Sequence, residues 1–532
     1  MRNTDRIFAI AVAAGCLTAC QDLTVGNVNN PDRGQATAQP EAVEALISSG
    51  FGQWWNEVHG NEPGWAVSTM ADEFTGGFLD YGLHHSSQEP RQAWNNLPTF
   101  AYNDATEAPW YNLHEVISSM NDALAAMNGG VVPAQAARAR AVAKFMQGIS
   151  RGYLALYFDS AFVVNEFTDL EAFAANPELK PASVVMDSAR VELEQSIVIA
   201  EANAFTVPGP PGWFRTPLTN TELAALARSF MARFLISLPR DRAARDAVDW
   251  DSVLTLAQQG IQRDLTPIAE PLILENEFTF RAARQRTTTP SDFARIDNWL
   301  VGPADSTDTF IAWVNTPVEL RERFQLRTKD RRIHGPTGPA DTTGKYFRYH
   351  NASVWNATRG TYVRSNYAFY RLGRGTSWQV GPQLAMTVTE MDMIKAEALI
   401  RLGRAAEAAT LINKTRLANG ELPAVTESGP PDEPGCVPRK YMPGPTQGQC
   451  GSLWDALRYE KRIEMAGVDP SVAYFDARGW QTLLQDTYIL FPVPGRELET
   501  GQRPLYTYGG GQAGSAPPPD PERCPVALPR CP

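Results

Sequence analysis

The sequence predicts a mainly α-helical protein in which helical hairpins stack side by side around one loop-rich, aromatic-rich insert. Three observations lead there. Apolar residues recur at three- and four-residue intervals along most of the chain, the pattern of helices that bury one face. Two such runs, Val388 to Leu402 and Ala405 to Leu417, are separated only by a turn at Gly403, which makes a tight helical hairpin. Between the helical stretches, residues 267–380 lose that period, with frequent turn residues and scattered aromatics.

The 532 residues are 43% hydrophobic and 20% charged, ordinary for a globular chain and ample for a large core. The net charge is -11 with no basic run of five or more. Nucleic-acid binding is therefore disfavoured, because phosphate neutralisation needs clustered Lys and Arg. Many of the 13 Trp and 16 Tyr are expected in the core, but such a number also suits a stacking surface for sugar or peptide.

Arg2 and Arg6 precede a short apolar run, Ile7 to Gly15, followed by Leu17-Thr18-Ala19-Cys20. Such a run is too short to span a bilayer and reads as a signal peptide over residues 1–19. Cysteine directly after the small residues resembles the bacterial lipobox, so Cys20 would carry the lipid. Two or three acyl chains anchor a protein firmly where one does not. Residues 20–40, polar and Asn-rich, would be the tether. Cys16 leaves with the signal, and Cys436, Cys450, Cys524 and Cys531 remain. In an exported chain they predict disulfides. Three pairings are possible, and Cys436–Cys450 with Cys524–Cys531 is favoured because both close short loops. A zinc site has neither a CxxC pair nor a nearby His to support it.

Helices are predicted from Glu41 to Trp55, Trp110 to Met127 (ending at Gly129-Gly130), Pro133 to about Phe158, Val184 to Ala202, Thr219 to Leu238 and Trp250 to Ile261. Thr219-Asn220-Thr221-Glu222 supplies capping chemistry for the fifth. Asn61 to Pro98 has no clear period and reads as a long aromatic loop. After the hairpin, residues 427–451 form a Pro/Gly loop, Trp454 to Met465 is the last clear helix, and residues 509–532 are a Pro/Gly tail. The helical parts are thus residues 41–266 and 381–508. The Leu402-Gly403 turn, Ala408 and Ile412 resemble part of a tetratricopeptide repeat, whose pairs bury their faces by stacking on neighbours.

Three groups of residues then line up in order: the lipobox with Asn29-Asn30-Pro31; Glu390, Lys395-Ala396-Glu397-Ala398, Gly403, Ala408, Asn413 and Arg416; and Tyr459-Glu460-Lys461-Arg462, Glu464-Met465, Tyr474-Phe475-Asp476, Arg478-Gly479-Trp480 with Leu490-Phe491-Pro492-Val493-Pro494 and Glu497. Together they resemble the SusD/RagB family of outer-membrane nutrient-binding lipoproteins. The chain departs from the family pattern at Tyr157-Phe158-Asp159-Ser160, at Gly467-Val468-Asp469-Pro470 and after Glu497. The resemblance implies a tetratricopeptide-like α–α superhelix packed against a SusC-like TonB-dependent barrel. It also implies an outward-facing loop-rich part that holds an oligosaccharide or peptide, and no cofactor.

Several motifs invite catalytic readings. Gly148-Ile149-Ser150-Arg151-Gly152 matches G-x-S-x-G but falls inside a helical pattern with no strand before it, so it is not expected to work as a nucleophile elbow. Asp72-Glu73 could mimic a glycosidase pair, yet adjacent carboxylates seldom bracket a bond. Glu390, Glu397 and Asn413 are expected at helix surfaces or packing contacts. His84-His85 has no second ligand cluster for a metal. For ligand contacts, Trp65, Tyr81, Trp299 and Trp313 are expected as platforms, and Asn298 and His84 as hydrogen-bonding groups. The expected function is non-enzymatic binding of oligomeric nutrients, glycan first. The rivals are an exported glycoside hydrolase and a tetratricopeptide-type envelope scaffold.

Overall fold

The computed structural model describes residues 37–60, 64–76, 85–86, 88–269, 294–338, 341–350, 365–371, 381–440 and 448–518. Cys20, Tyr81, His84, Cys524 and Cys531 lie outside them. The body is an array of helices in chain order. It runs α1 (Pro40–Trp55), α2 (Gly64–Met70), a short strand β1 (Phe74–Gly76), α3 (Asp104–Asn128), α4 (Ala136–Tyr157), α5 (Ala182–Ala202), α6 (Asn220–Ser237) and α7 (Trp250–Gln258). From α3 to α7 each helix packs on the next, and α1 lies across α3 and α4. After the insert come α8 (Val388–Arg401) and α9 (Ala405–Ala418), then α10 (Leu453–Met465) and α11 (Val472–Gly479). Helix α8 packs directly on α7, so the array closes across everything between them.

Local chemistry explains most boundaries. Thr219 and Glu222 form the predicted capping box on α6, each side chain bonding the other's backbone N–H. Thr387 caps α8 through the Glu390 N–H at 3.1 Å. Gly403 sits at φ +75°, a left-handed conformation that lets α8 turn back into α9 within three residues. Helix α3 starts six residues earlier than its apolar period suggests, because Pro109 reads as a breaker. Pro109 is the sixth residue of this 25-residue helix, in its second turn, so its missing N–H gives up one backbone bond and the helix runs on through it. Helix α11 went unpredicted because every residue from Val472 to Gly479 is buried, which erases the one-faced period. Helix α2, in the stretch read as loop, fails for the same reason: apart from Trp65, its side chains are all buried.

The G-x-S-x-G residues lie mid-helix in α4, with Ser150 wholly buried. Their glycines serve packing. A Cβ on Gly148 would sit 2.7 Å from Leu193 of α5, and one on Gly152 would sit 2.2 Å from Phe234 of α6. Three helices therefore meet at near-backbone distance there.

The motif carboxylates are deeply buried rather than at helix surfaces. Arg233 of α6 holds Glu390 of α8 at 2.5 Å and Asp469 at 2.7 Å, and Tyr153 of α4 donates to Asp469 at 2.6 Å. Arg245 holds Glu397 at 2.7 Å and Asp476 at 3.0 Å, while Lys461 reaches Asp476 at 2.8 Å and the Trp480 indole N–H donates to Glu397 at 3.1 Å. Burial alone would raise the Glu397 carboxyl, but Arg245, Lys461 and that N–H hold it below its ordinary range. Arg332 joins Asp330 at 2.7 Å, Glu460 at 2.6 Å and Glu464 at 3.1 Å. Breaking such a pair strands a buried charge, so these groups fix how the helices meet. Asn413 bonds the Val425 backbone in both directions, at 2.9 and 2.8 Å.

The insert has its own small core. It is built on β2 (Ala294–Ile296), β3 (Phe347–Tyr349) and β4 (Tyr367–Phe369) and gathers Ile296, Leu300, Leu326, Phe347 and Phe369 against Tyr459 and Ile463 of α10. Cys436 and Cys450 form the predicted disulfide, with Cα atoms 5.7 Å apart. The tail is not loose where it is described: Trp94 N–H donates to Tyr508 O at 3.0 Å and Asp486 N–H to Ala516 O at 3.1 Å.

Candidate ligand-binding face

Two distant stretches are joined by an antiparallel pairing of β1 with β2, in which Phe74 faces Ile296 and Gly76 faces Ala294. The Asp297 N–H continues the pairing by donating to Glu73 O at 2.9 Å. Nothing local in the sequence announces this contact, since each strand has only three residues. It sets Phe74 to Gly76, a few residues beyond α2, beside the strand that leads directly into Asn298 and Trp299. Trp65 lies in α2, and its side chain is outside the described set.

Asp297 caps a one-turn helix, Asn298–Val301, by accepting from the Trp299 N–H at 2.8 Å. Asn298 is fully buried, and neither its amide oxygen nor its amide nitrogen meets a hydrogen-bond partner among the described residues. Folding leaves such a group unsatisfied at a cost of about 1–3 kcal/mol, so each one calls for an explanation.

Trp299 and Trp313 are 3% and 6% exposed. Their rings meet edge-on at 6.2 Å, and Phe310 completes a triangle with them, stacked on Trp313 at 5.7 Å and edge-on to Trp299 at 5.4 Å. The Arg321 guanidinium covers Trp313 at 4.4 Å and also reaches Glu89 at 3.3 Å. The expectation of open platforms at these two positions is therefore corrected. Their rings satisfy one another, and the cluster makes a stiff wall. His85, the neighbour of the expected His84, packs edge-on against Trp94 at 6.0 Å and Phe100 at 5.4 Å.

Behind Trp299 lies a narrow cleft of about 90 Å³, walled by Tyr459, Trp480 and the arginines Arg439, Arg458 and Arg462. Arg439 is paired with Asp308 at 2.5 Å and Arg458 with Asp455 at 2.5 Å. Arg439 and Arg458 were missed at the sequence level because they lie in two segments with no run of basic residues, and Arg462 was picked out only as part of the ordered motifs.

Asp72 and Glu73 are both 1% exposed and turned inward. Asp72 pairs with Arg91 at 2.6 Å. Glu73 accepts from the Gly467 N–H at 2.7 Å and from the Ser68 hydroxyl at 3.2 Å. Burial pushes its carboxyl up to about 8 despite those bonds and the nearby Arg462. Gly467 itself is left-handed at φ +68°, and a Cβ there would sit 2.6 Å from Phe369. The Gly467-Val468-Asp469-Pro470 departure thus serves this packing. So placed, both carboxylates are engaged in the interior by Arg91, Ser68 and Gly467.

Comparison with known structures follows the same lines. A SusD superfamily protein from Bacteroides vulgatus matches with a TM-score of 0.56 and 12% identity, covering 89% of this chain and 99% of that chain. One from Bacteroides thetaiotaomicron matches at 0.52 and 14%, covering 84% and 92%. One from Bacteroides fragilis matches at 0.51 and 14%, covering 84% and 90%. No family model matches the sequence, and no curated protein matches it. The fold is accordingly the mainly-α SusD fold, as the helical hairpin and the ordered motifs predict.

Proposed function

We propose that this chain is a SusD/RagB-type nutrient-binding lipoprotein. It would be anchored to the outer membrane through Cys20, face outward, and pass oligomeric ligands to a SusC-like TonB-dependent barrel. The observation that carries the reading is the fold, which spans nearly the whole of a solved SusD superfamily chain. The buried ion groups at Glu390, Glu397 and Asp476 support it, because they give the motif residues a structural reason to be where they are. Among the described helices none is long and apolar enough to cross a membrane, so the anchor in this reading is the lipid on Cys20.

Ligand would be held where the paired β1 and β2 segments meet. Asn298 is the hydrogen-bonding group there, Trp65, Tyr81 and His84 are its contacts, and the Trp299–Trp313 cluster is the supporting wall. Oligosaccharide is the first candidate ligand and peptide the second. Isothermal titration of the mature chain against a panel of neutral glycans and peptides tests binding. The result expected is saturable binding of an oligomer without turnover. Turnover abolished by Asp72→Asn or Glu73→Gln would establish the hydrolase instead, and absence of any ligand would favour a scaffold. Cys20→Ala should leave affinity unchanged and impair uptake, because the anchor supplies effective concentration at the barrel rather than contacts.

A further inference from the structure

A second groove lies on the helical body. It runs between α3 and residues 162–173 and encloses about 420 Å³, the size of a small-ligand site. Rings form its wall. Trp110 lies 4.7 Å from His114 and 5.8 Å from Phe162, His114 lies 5.8 Å from Phe162, and Phe162 meets Phe173 at 5.5 Å. The planes of these pairs cross at angles from 53° to 89°, so none of the four rings is covered face to face by another of them. His114, Phe162 and Phe173 are half-buried and Tyr111 at the rim is 39% exposed, so ring surface is left to the groove.

The charged groups around the groove are answered from within the protein. Glu166 pairs with Lys144 at 2.7 Å. Glu497 accepts from the Tyr111 hydroxyl, and Arg496 beside this pair reaches Glu107 at 3.5 Å. Asp122 is engaged as well. Arg151 pairs with Glu192 at 2.8 Å. His114 carries no charge: burial pushes it down to about 4, and Arg151 adds to that push. An ion entering here would lose its water without meeting a new counter-charge.

Hydroxyls and amides complete the lining, at Ser118, Asn121, Asn165 and Thr168. Asn165 is exposed, and its side-chain oxygen accepts from the Phe167 N–H at 3.0 Å and the Thr168 hydroxyl at 3.2 Å. Those two bonds fix the amide and hold its nitrogen at the rim as a donor. A wholly apolar ligand would cover these groups without replacing their water, which costs free energy. A ligand with an apolar face and a hydroxylated edge satisfies both parts of the lining.

We propose that this groove is a second binding site and that it takes a neutral hydroxylated ring, the chemistry of a pyranose. The C–H face of the sugar lies against Phe162, Phe173 and Tyr111, and its edge hydroxyls bond Asn165 and Asn121. The site shares no residue with the β1–β2 face and does not rest on the nutrient-binding reading.

The test is hydrogen–deuterium exchange of the mature chain with neutral and charged trisaccharides. The neutral probes are maltotriose, cellotriose, mannotriose and triacetylchitotriose; the charged ones are chitotriose and trigalacturonate. The expected result is that at least one neutral probe slows exchange in both residues 110–125 and 162–173 and that neither charged probe does. Calorimetric titration with that neutral probe then reads two variants. Phe173→Leu, which keeps an apolar side chain but removes a ring, should weaken it by about fivefold. Asn165→Asp, which keeps the acceptor that fixes the loop but removes the donor, should weaken it by about threefold and guards against a packing defect in the first variant. Protection that falls elsewhere alone, including at residues 74–76 and 294–299, overturns the proposal and leaves the nutrient-binding reading standing. So does equal protection by a charged probe, or an affinity that neither variant moves.

Discussion

Glu73→Gln should flatten the pH dependence of stability. In the folded chain the Glu73 carboxyl is raised from 4.5 to about 8, because burial disfavours its charge. Between those values the folded state holds a proton that the unfolded state has released, so stability falls as pH rises through this window. Each pH unit inside it costs about 1.4 kcal/mol, which gives about 3 kcal/mol by pH 7 and about 5 kcal/mol above pH 8. Glutamine reproduces the protonated acid: its oxygen can accept from Gly467 N–H and its amide can donate to the Ser68 hydroxyl. The assay is urea denaturation of both proteins from pH 5 to pH 9, followed by tryptophan fluorescence. At pH 5 the two midpoints should lie close together, and by pH 9 the variant should be more stable by several kcal/mol. Glu57, raised by burial to about 7, contributes to both profiles alike, so the difference between them isolates Glu73. Parallel profiles that differ by less than about 1 kcal/mol across the range would refute the reasoning.

Further outcomes follow from the same packing. Arg245→Met should lower stability by about 3–5 kcal/mol, because it takes the paired guanidinium from buried Glu397 and leaves buried Asp476 to Lys461 alone; a thermal melt reads it. Gly152→Ala should cost about 1–3 kcal/mol by forcing α4 away from Phe234, whereas an alanine at half-buried Gly52, whose added Cβ meets nothing within 4 Å, should not destabilise α1. Asn298→Ala should not lower the melting temperature, since removing an amide with no partner among the described residues relieves a desolvation cost that offsets the small cavity left behind, and should weaken ligand in the titration that tests the proposed function.

The helices were legible in the sequence wherever one face is buried and the other wet. The α8–α9 hairpin, the Thr219 cap and the ends of α10 all follow from period and capping chemistry acting over a few residues. Elements buried on every side, α2 and α11, leave no such period and stayed hidden. The disulfide was legible because its loop is short, the partners lying 14 positions apart.

The candidate site was legible only in part. Asn298 was picked out as a polar residue beside tryptophan, and the structure places it in a fully buried position. Trp299 and Trp313 were picked out for the same aromatic chemistry, but exposure is not written in residue type, and Phe310 covers both rings. The carboxylates of the ordered motifs show the same division. The sequence by itself determined that Glu390, Glu397 and Glu460 sit on amphipathic helices, because helical periodicity is local. Only the tertiary structure decided that Arg233, Arg245 and Arg332 meet them in the interior, since those partners lie 128 to 157 residues away and a contact at that range depends on how whole helices pack.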